Sequence, residues 1–197
     1  MILADKLTAA YAGKTVLRDC SLQIPPGGRC AVMGPSGCGK TTLLKLLLGL
    51  RKADSGRAEI RGRAACVFQE PRLLPWRTAA QNVNAVLADR EETMAEARAW
   101  LERLALGEAA DLFPEELSGG MKQRVAIARA LAYGGDALLL DEPLKGLDPA
   151  LKLRTAELIL EHSRGKALLL ATHDREEAAL LTDRILMYRD GAFVPEE

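Results

Sequence analysis

The sequence lacks the features on which several large classes of protein depend. Histidine occurs only twice and none of the four cysteines forms a Cys-x-x-Cys pair, so a zinc site is not expected. Lys+Arg and Asp+Glu balance at 27 each, and this lack of a basic excess argues against a nucleic-acid partner. The most apolar run, residues 43–50, contains Lys45 and is far too short to span a bilayer.

The first residues of the sequence are not expected to form a secretory signal. It begins MILADKL, with an acid at Asp5 and no apolar stretch of signal-peptide length. We therefore expect a reduced, cytoplasmic setting. If the protein serves a membrane, we expect it to do so as a peripheral protein on the inner face.

Short apolar runs indicate an α/β fold. Residues 29–33, 137–140 and 167–172 are apolar without alternation, which is typical of parallel strands covered on both faces. Residues 1–10 and 16–24 predict two earlier strands, and we expect an antiparallel part there. The length of 197 residues suits one domain, with room for a small inserted subdomain.

Composition changes in the middle of the chain. From about 71 to 133 the sequence is rich in Ala, Leu, Glu and Arg, which predicts helices. We therefore expect a single domain, 1–197, whose α/β core (1–70 and 134–197) is interrupted by a helical subdomain (71–133).

Local signals predict where some elements begin and end. Thr93 with Glu96 predicts a capping box, and Ser118 predicts the cap of a helix running to about Tyr133. Asp190 and Gly191 predict a tight turn between two final strands. His162 is expected on a helix surface, without a functional role.

A phosphate-binding loop follows the strand at 29–33. Residues 34–41, GPSGCGKT, fit the pattern G-x-x-x-x-G-K-[ST] in full, between a strand and a helix. The glycines let backbone N–H groups converge on phosphate oxygens. Lys40 supplies a cation for the β and γ phosphates, and the Thr41 hydroxyl can ligate Mg²⁺. By itself the motif indicates only a nucleoside triphosphate, because kinases and GTPases share it.

Two carboxylates end the apolar strand at 137–140. Ligands of open α/β sheets gather at the carboxyl ends of strands, so Asp141 is placed to hold Mg²⁺ directly or through water. Glu142 points elsewhere and can polarise the water that attacks the γ-phosphorus. The alternative is a solvated acidic turn.

Residues 117–124, LSGGMKQR, distinguish between classes of NTPase. They closely resemble the LSGGQ signature of the ABC family, and they lie between a phosphate loop and an LLLDEP strand, as in that family. The rest of the chain is similar in the same order. Gln69 resembles the Q-loop glutamine, Leu147-Asp148 the D-loop and His173 the switch histidine. Tyr11 stands where the family has an aromatic that stacks on adenine.

The resemblance implies that two copies pair head to tail, with each ATP between residues 34–42 of one copy and 118–121 of the other. It implies that Gln69 touches Mg²⁺ and senses the γ-phosphate, that His173 holds Glu142 and the water, and that Asp148 bridges the copies. The expected catalytic residues are Glu142, His173, Gln69 and Lys40, and the expected metal ligands are Thr41, Gln69 and Asp141. The expected nucleotide contacts are Tyr11, Val16, Gly34, Pro35, Ser36, Gly37, Cys38, Gly39, Lys40, Thr41, Thr42, Gln69, Asp141, Ser118, Gly119, Gly120, Met121 and Asp148.

The sequence departs from the family pattern in two places. Met121 replaces the usual signature glutamine, a change also common among importers. Lys145 adds a charge just before the D-loop, near the expected dimer contact.

For two residues the sequence leaves a structural alternative open, since Tyr11 and His173 could each be ordinary core residues.

Three functions fit a nucleotide-binding domain of this kind, and one fits best. DNA-acting relatives carry a long coiled-coil insert between the Q-loop and the signature, and here fewer than fifty residues separate Gln69 from Ser118. Ribosome-acting relatives usually fuse two cassettes. A small-molecule kinase would leave the signature unexplained. We therefore expect a transporter ATPase.

Residues 69–77, QEPRLLPWR, predict a partner site. Two prolines and Trp76 make a stiff, apolar segment, either exposed for a partner or buried as a plug. In the family, a permease subunit docks here. The sequence of this segment resembles that of the importers of nitrate, sulfonates and taurine. This resemblance implies a permease dimer and an extracytoplasmic binding protein as partners. It also implies a small, anionic solute.

Overall fold

The computed structural model describes residues 1–11 and 13–196 as two β-sheets and a set of helices. The strands are β1 (Ile2–Tyr11), β2 (Lys14–Ile24), β3 (Arg29–Met33), β4 (Ser55–Ile60), β5 (Ala64–Val67), β6 (Ala137–Asp141), β7 (Ala167–Thr172), β8 (Arg184–Arg189) and β9 (Ala192–Pro195). The helices are α1 (Lys40–Leu47), α2 (Ala79–Asn84), α3 (Met94–Arg103), α4 (Gly119–Tyr133), α5 (Pro149–His162) and α6 (Arg175–Leu181). Short 3₁₀ turns cover Glu91–Thr93 and Pro114–Glu116.

The smaller sheet is antiparallel, with the order β2-β1-β4. Ile2 pairs with Ile24 on one side and with Ile60 on the other. Ile2 and Leu7 are fully buried, whereas Asp5 is exposed, as expected for a strand with one covered face. The antiparallel N-terminal part predicted from the sequence is therefore present.

The larger sheet has the order β5-β6-β7-β3-β8-β9 and is parallel from β6 to β8. Every residue of β6 and β7 is buried, which explains why these strands read as unbroken apolar runs. The final strand, β9, returns antiparallel to β8. Asp190 and Gly191 join the two with φ values of 49° and 96°, the left-handed pair that a two-residue hairpin turn of type I′ requires.

The chain groups into two compact units. The first comprises 1–66, 135–142 and 163–197, and the second comprises 67–134 and 143–162. The first unit contains the core in which Leu43 and Leu44 of α1 pack with apolar residues of both sheets. The second contains α2 to α5. The helical subdomain predicted from the sequence, 71–133, lies within the second unit, which also contains 67–70, 134 and 143–162.

Two local predictions differ from the structure. The capping box at Thr93 is wrong: Thr93 has helical φ and ψ, and its hydroxyl donates 2.6 Å to Asn84 Oδ1 instead of capping α3. His162 is not a bare surface residue, because its ring lies edge-on to Trp100 at 4.7 Å between centroids.

No helix formed by the described residues is both long enough and apolar enough to cross a bilayer.

Candidate functional site

The phosphate-binding loop lies between the buried strand β3 and helix α1, as predicted. Two of its glycines are required by steric contact. A Cβ at Gly34 would lie 2.7 Å from Tyr188 Cβ, and one at Gly39 would lie 3.0 Å from the Val16 carbonyl oxygen. Gly39 also has a φ of 115°, which residues with a side chain rarely adopt. The loop can therefore keep this shape only with glycine at these positions.

Lys40 is held inside the loop. Its Nζ donates to the carbonyl oxygens of Gly34 (2.7 Å) and Pro35 (3.1 Å), and the residue is 7% exposed. Because a buried ammonium needs acceptors, these carbonyls keep the cation at the centre of the loop. Nζ also lies 4.0 Å from Cys38 Sγ, and Cys38 is buried within the core of the first unit.

The two predicted metal-ligating groups of the first unit meet directly. Thr41 Oγ1 donates a hydrogen bond of 2.7 Å to Asp141 Oδ2. Asp141 ends β6 and is 2% exposed. Burial raises the pKa of this carboxyl, and the Thr41 hydrogen bond and nearby Lys40 oppose that shift in part. A hydroxyl and a carboxylate side by side are hard oxygen ligands, the kind that Mg²⁺ prefers.

The predicted base and the predicted switch histidine also meet. His173 Nδ1 lies 2.6 Å from Glu142 Oε1, so the imidazole N–H donates to the carboxylate. Glu142 is buried but His173 has a side chain that is 54% exposed, so His173 is not a core histidine. Glu142 has a φ of 48°, and its N–H donates 2.9 Å to the Ala171 carbonyl. Strained backbone of this kind is concentrated at functional sites.

Tyr11 lies at the surface of the first unit. It is 66% exposed, so it is not the core aromatic that the sequence left possible. The Arg51 guanidinium lies 5.5 Å from its ring centroid. Val16, predicted as a further nucleotide contact, is half-buried and its carbonyl accepts a 3.2 Å hydrogen bond from the Tyr188 hydroxyl.

The signature segment belongs to the second unit. Ser118 is the N-cap of α4, and its Oγ accepts a hydrogen bond of 3.2 Å from the Met121 N–H. Ser118 and Gly119 are exposed, and in the described part of the chain no atom beyond the adjacent residues and the backbone of α4 lies within 4 Å of a Cβ built on Gly119. Backbone N–H groups at a helix start, with open space beside a glycine, form a second place where an anion can bind.

Gln69 and Asp148 are the other predicted site residues in the second unit, and both are exposed. Asp148 immediately precedes α5, and its Oδ1 accepts a 3.1 Å hydrogen bond from the Leu151 N–H. Gly146, two residues earlier, lies close to the signature. A Cβ built on Gly120 would be 3.5 Å from the Gly146 carbonyl oxygen.

Trp76 is 70% exposed, so the segment around it is not a buried plug. It borders a cavity of about 400 Å³ whose other lining residues include Gln81, Asp89 and Met94. Arg77 and Asp89 close one side with two hydrogen bonds of 2.6 and 2.8 Å.

Several residues that shape the site gave no motif in the sequence. Tyr188 supports Gly34 and Val16, and Arg51 covers Tyr11. Asp174 follows the switch histidine and caps α6 by accepting hydrogen bonds from Glu176 and Glu177 N–H. An Asp before a helix is a recognisable cap signal, so Asp174 could have been predicted, whereas Tyr188 and Arg51 could not.

Comparison with known sequences gives consistent results. The family model described as ABC transporter matches residues 17–145. The aliphatic sulfonates import ATP-binding protein 1 of Pseudomonas syringae pv. syringae (strain B728a) is 44% identical over 185 residues, covering 90% of this chain and 76% of the relative. The corresponding protein 3 of Nocardia farcinica (strain IFM 10152) is 46% identical over 184 residues, covering 92% and 74%.

Solved structures with the same fold are also ATP-binding cassettes. The cassette MJ0796, solved as a dimer in a post-hydrolysis state bound to ADP and Pi, superposes with a TM-score of 0.92 at 29% identity, covering 100% of this chain and 98% of that one. A second dimeric structure of the same bacterial ABC transporter cassette gives 0.88 at 30% identity, with the same coverage.

Proposed function

The chain belongs to the ABC transporter family, and from this membership we propose that it is the ATP-hydrolysing subunit that powers uptake of a small sulfonate-like anion through a membrane permease. The fold is that of an ABC ATPase, and family membership makes the chain a nucleotide-binding ATPase. The single observation that carries the catalytic part of the proposal is the contact between Glu142 and His173.

We assign the chemical step to residues of the first unit. The loop amides and Lys40 hold the phosphates, and Glu142 accepts the proton of the water that attacks the γ-phosphorus. A bond forms between the water oxygen and phosphorus, the bond from phosphorus to the β–γ bridging oxygen breaks, and ADP and phosphate leave. His173 keeps the carboxylate oriented through its N–H and can reach the γ-phosphate from its exposed ring.

Mg²⁺ fits the oxygen pair formed by Thr41 and Asp141. When bound, the ion supplies positive charge that neutralises the phosphate oxygens. We assign Thr41 and Asp141 to hold it, and Gln69 as a further ligand. The hydrogen bond between Thr41 and Asp141 supports this assignment because it brings a hydroxyl and a carboxylate together at the carboxyl end of β6, beside the phosphate loop.

We propose that the signature of one copy completes the nucleotide site of another. The space beside Gly119 is open, and the helix start at Ser118 is exposed. Both features leave room for a phosphate group of a nucleotide that is bound to another copy of the chain. The dimeric form of the MJ0796 cassette supports pairing of two copies, and we propose that they pair head to tail. Asp148, exposed at the start of α5, is placed at the surface of its unit where it can bridge the copies.

The segment 69–77 is our proposed docking site for the permease. An exposed tryptophan next to a cavity of about 400 Å³ is suited to receive a short helix of a partner, with the indole as an apolar anchor and the Arg77–Asp89 pair at the rim. We therefore propose that the subunit lies on the cytoplasmic face of the membrane, bound to the permease, and that an extracytoplasmic binding protein delivers the solute on the other side.

The test is uptake of a labelled aliphatic sulfonate by membrane vesicles that carry the permease, its binding protein and this subunit. We expect uptake that requires internal ATP, and we expect Lys40→Ala to abolish it. Other aliphatic sulfonates, nitrate and an amino acid serve as unlabelled competitors. Competition by nitrate and none by other sulfonates would contradict the sulfonate assignment while leaving the ATPase in place.

A further inference from the structure

The proposed docking segment is tied to the signature helix by one side chain. Arg129 lies on α4, and its guanidinium donates to two successive carbonyls of the segment: Nη2 to Pro71 O at 2.8 Å and Nη1 to Arg72 O at 3.0 Å. A planar guanidinium can satisfy two neighbouring acceptors at fixed geometry, which a lysine ammonium cannot do.

The backbone that Arg129 holds is itself under strain. Arg72 has a φ of 48°, a left-handed conformation that is uncommon for a residue with a side chain. Its own side chain folds back over the Phe68 ring, with the guanidinium carbon 4.4 Å from the centroid. Such a conformation persists only when its surroundings impose it, and the two hydrogen bonds from Arg129 act on this residue and the one before it.

Asn82 braces the other end of the same segment. This residue is fully buried on α2, accepts a 2.7 Å hydrogen bond from the Leu74 N–H, and donates to the carbonyls of Leu74, Arg77 and Thr78 at 3.0 to 3.1 Å. These side-chain hydrogen bonds join Asn82 to residues no more than eight positions away in the sequence. Asn82 therefore fixes the shape of the segment, whereas Arg129 connects the segment to a different part of the fold.

That part is the helix whose start carries the signature. Ser118 caps α4, and Arg129 lies eleven residues later, about 16 Å along the helix axis at the usual rise of 1.5 Å per residue. Burial lowers the pKa of the Arg129 guanidinium, because removal from water disfavours its charged form. A helix is stiff over this distance, so displacement at the segment is passed to its start.

We propose that Arg129 is a positioning residue that transmits movement between the permease-docking segment and the signature at the start of α4. This rests on the proposed function, because it takes the segment 69–77 to be where the permease binds. Arg129 touches neither nucleotide nor metal in this assignment. Its effect should therefore appear in the coupling between permease and ATPase, and not in the hydrolysis carried out by the subunit alone.

The experiment compares Arg129→Met and Arg129→Lys with wild type, as isolated subunit and assembled with the permease in proteoliposomes. Coupling residues typically change such linkage about 2- to 30-fold. We expect permease- and solute-stimulated hydrolysis to fall by that factor in Arg129→Met, with permease co-purification, KM for ATP and the kcat of the isolated subunit kept within about twofold. Arg129→Lys, which keeps the charge but loses the fork, should be intermediate.

The matched control is Arg98→Met, which removes a surface arginine of the same unit that pairs with Asp111. It should leave stimulation unchanged. Full stimulation in Arg129→Met would overturn the proposal, as would an equal loss of stimulated and isolated activity together with a lower melting temperature in both Arg129 variants. If wild-type hydrolysis itself is not stimulated by the permease, it is the proposed function that fails.

Discussion

The two units hold their proposed nucleotide-binding residues in opposite ways. In the first unit Lys40, Asp141 and Glu142 are buried, and each has a hydrogen-bonding partner from the same unit. In the second unit Ser118 and Asp148 are exposed, and their side-chain hydrogen bonds are cap contacts at helix starts. Buried charges must be satisfied before any ligand arrives, so the first half of the site is formed by its own fold. In the second unit, the backbone amides at Ser118 and Gly119 and the open space beside them lie at the surface. This exposed half of the proposed site is therefore suited to bind a nucleotide that another copy of the chain carries.

The largest expected effect tests the half of the proposed site that the first unit forms by itself. Glu142→Gln keeps the shape of the side chain but cannot accept a proton, so hydrolysis should fall ~10²–10⁴-fold, the usual worth of a general base. ATP affinity should barely change, and the ATP-bound dimer should accumulate because opening requires loss of ATP. Steady-state hydrolysis and gel filtration with Mg-ATP measure both. A variant that hydrolyses ATP at the normal rate would remove Glu142 from the catalytic role.

Lys40→Ala is the comparison variant for that measurement. It removes the cation that the loop carbonyls hold at the centre of the phosphate site. We therefore expect weak ATP binding and no ATP-driven dimer, in contrast to Glu142→Gln. Equal dimer formation by the two variants would show that closure does not depend on the phosphate contacts.

The next effect separates two exposed apolar side chains of the second unit. Trp76 is 70% exposed and Leu153 is 53% exposed, but only Trp76 lies in the proposed docking segment. Trp76→Ser should weaken permease association roughly 30-fold, since an aromatic anchor is commonly worth about 2 kcal/mol. Leu153→Ser should leave it unchanged. The measurement is the affinity of each variant for the detergent-solubilised permease. Equal losses of affinity in the two variants would show that any exposed apolar side chain of this unit contributes to permease binding, whether or not it lies in the docking segment.

Gly119 sharpens the comparison at the exposed half. A methyl group there would meet no atom within 4 Å among the described residues, apart from its chain neighbours and the backbone of its own helix, so Gly119→Ala should fold with an unchanged or slightly raised melting temperature. It would still intrude on a phosphate brought by a partner copy. In a Glu142→Gln background we expect ATP-driven dimerisation to weaken roughly tenfold, comparable with loss of one hydrogen bond to a charged group. Undiminished dimerisation would place the phosphate elsewhere.

The smallest expected effect concerns stability. Burial raises the pKa of Asp141, so its charged form destabilises the fold at neutral pH. Asp141→Asn removes that charge and should raise the melting temperature at pH 7. The difference should shrink as the pH falls through the raised pKa, where the wild-type carboxyl takes up a proton more readily in the folded than in the unfolded state. A constant difference across this range would point to packing rather than charge.

Prediction from sequence succeeded where the signal is local. The apolar runs at 137–140 and 167–172 became buried strands, and Ser118 caps α4 as expected. It failed at Thr93, where a preceding 3₁₀ turn changed the backbone conformation and the hydroxyl found Asn84 instead. A cap pattern states which side chain could accept a hydrogen bond, but competing acceptors brought close by folding decide which bond forms.

The sequence by itself determined the chemistry of this protein. Its phosphate loop and its acid pair are contiguous, so residue type and spacing are enough to point to them, and its signature is a contiguous segment that resembles the signature of the ABC family. Only the tertiary structure decided which of these groups meet. It placed Thr41 against Asp141 across 100 residues, Glu142 against His173, and Arg129 against the carbonyls of Pro71 and Arg72. Such contacts follow from strand order and helix packing, which join distant segments, and no short pattern in the chain records them.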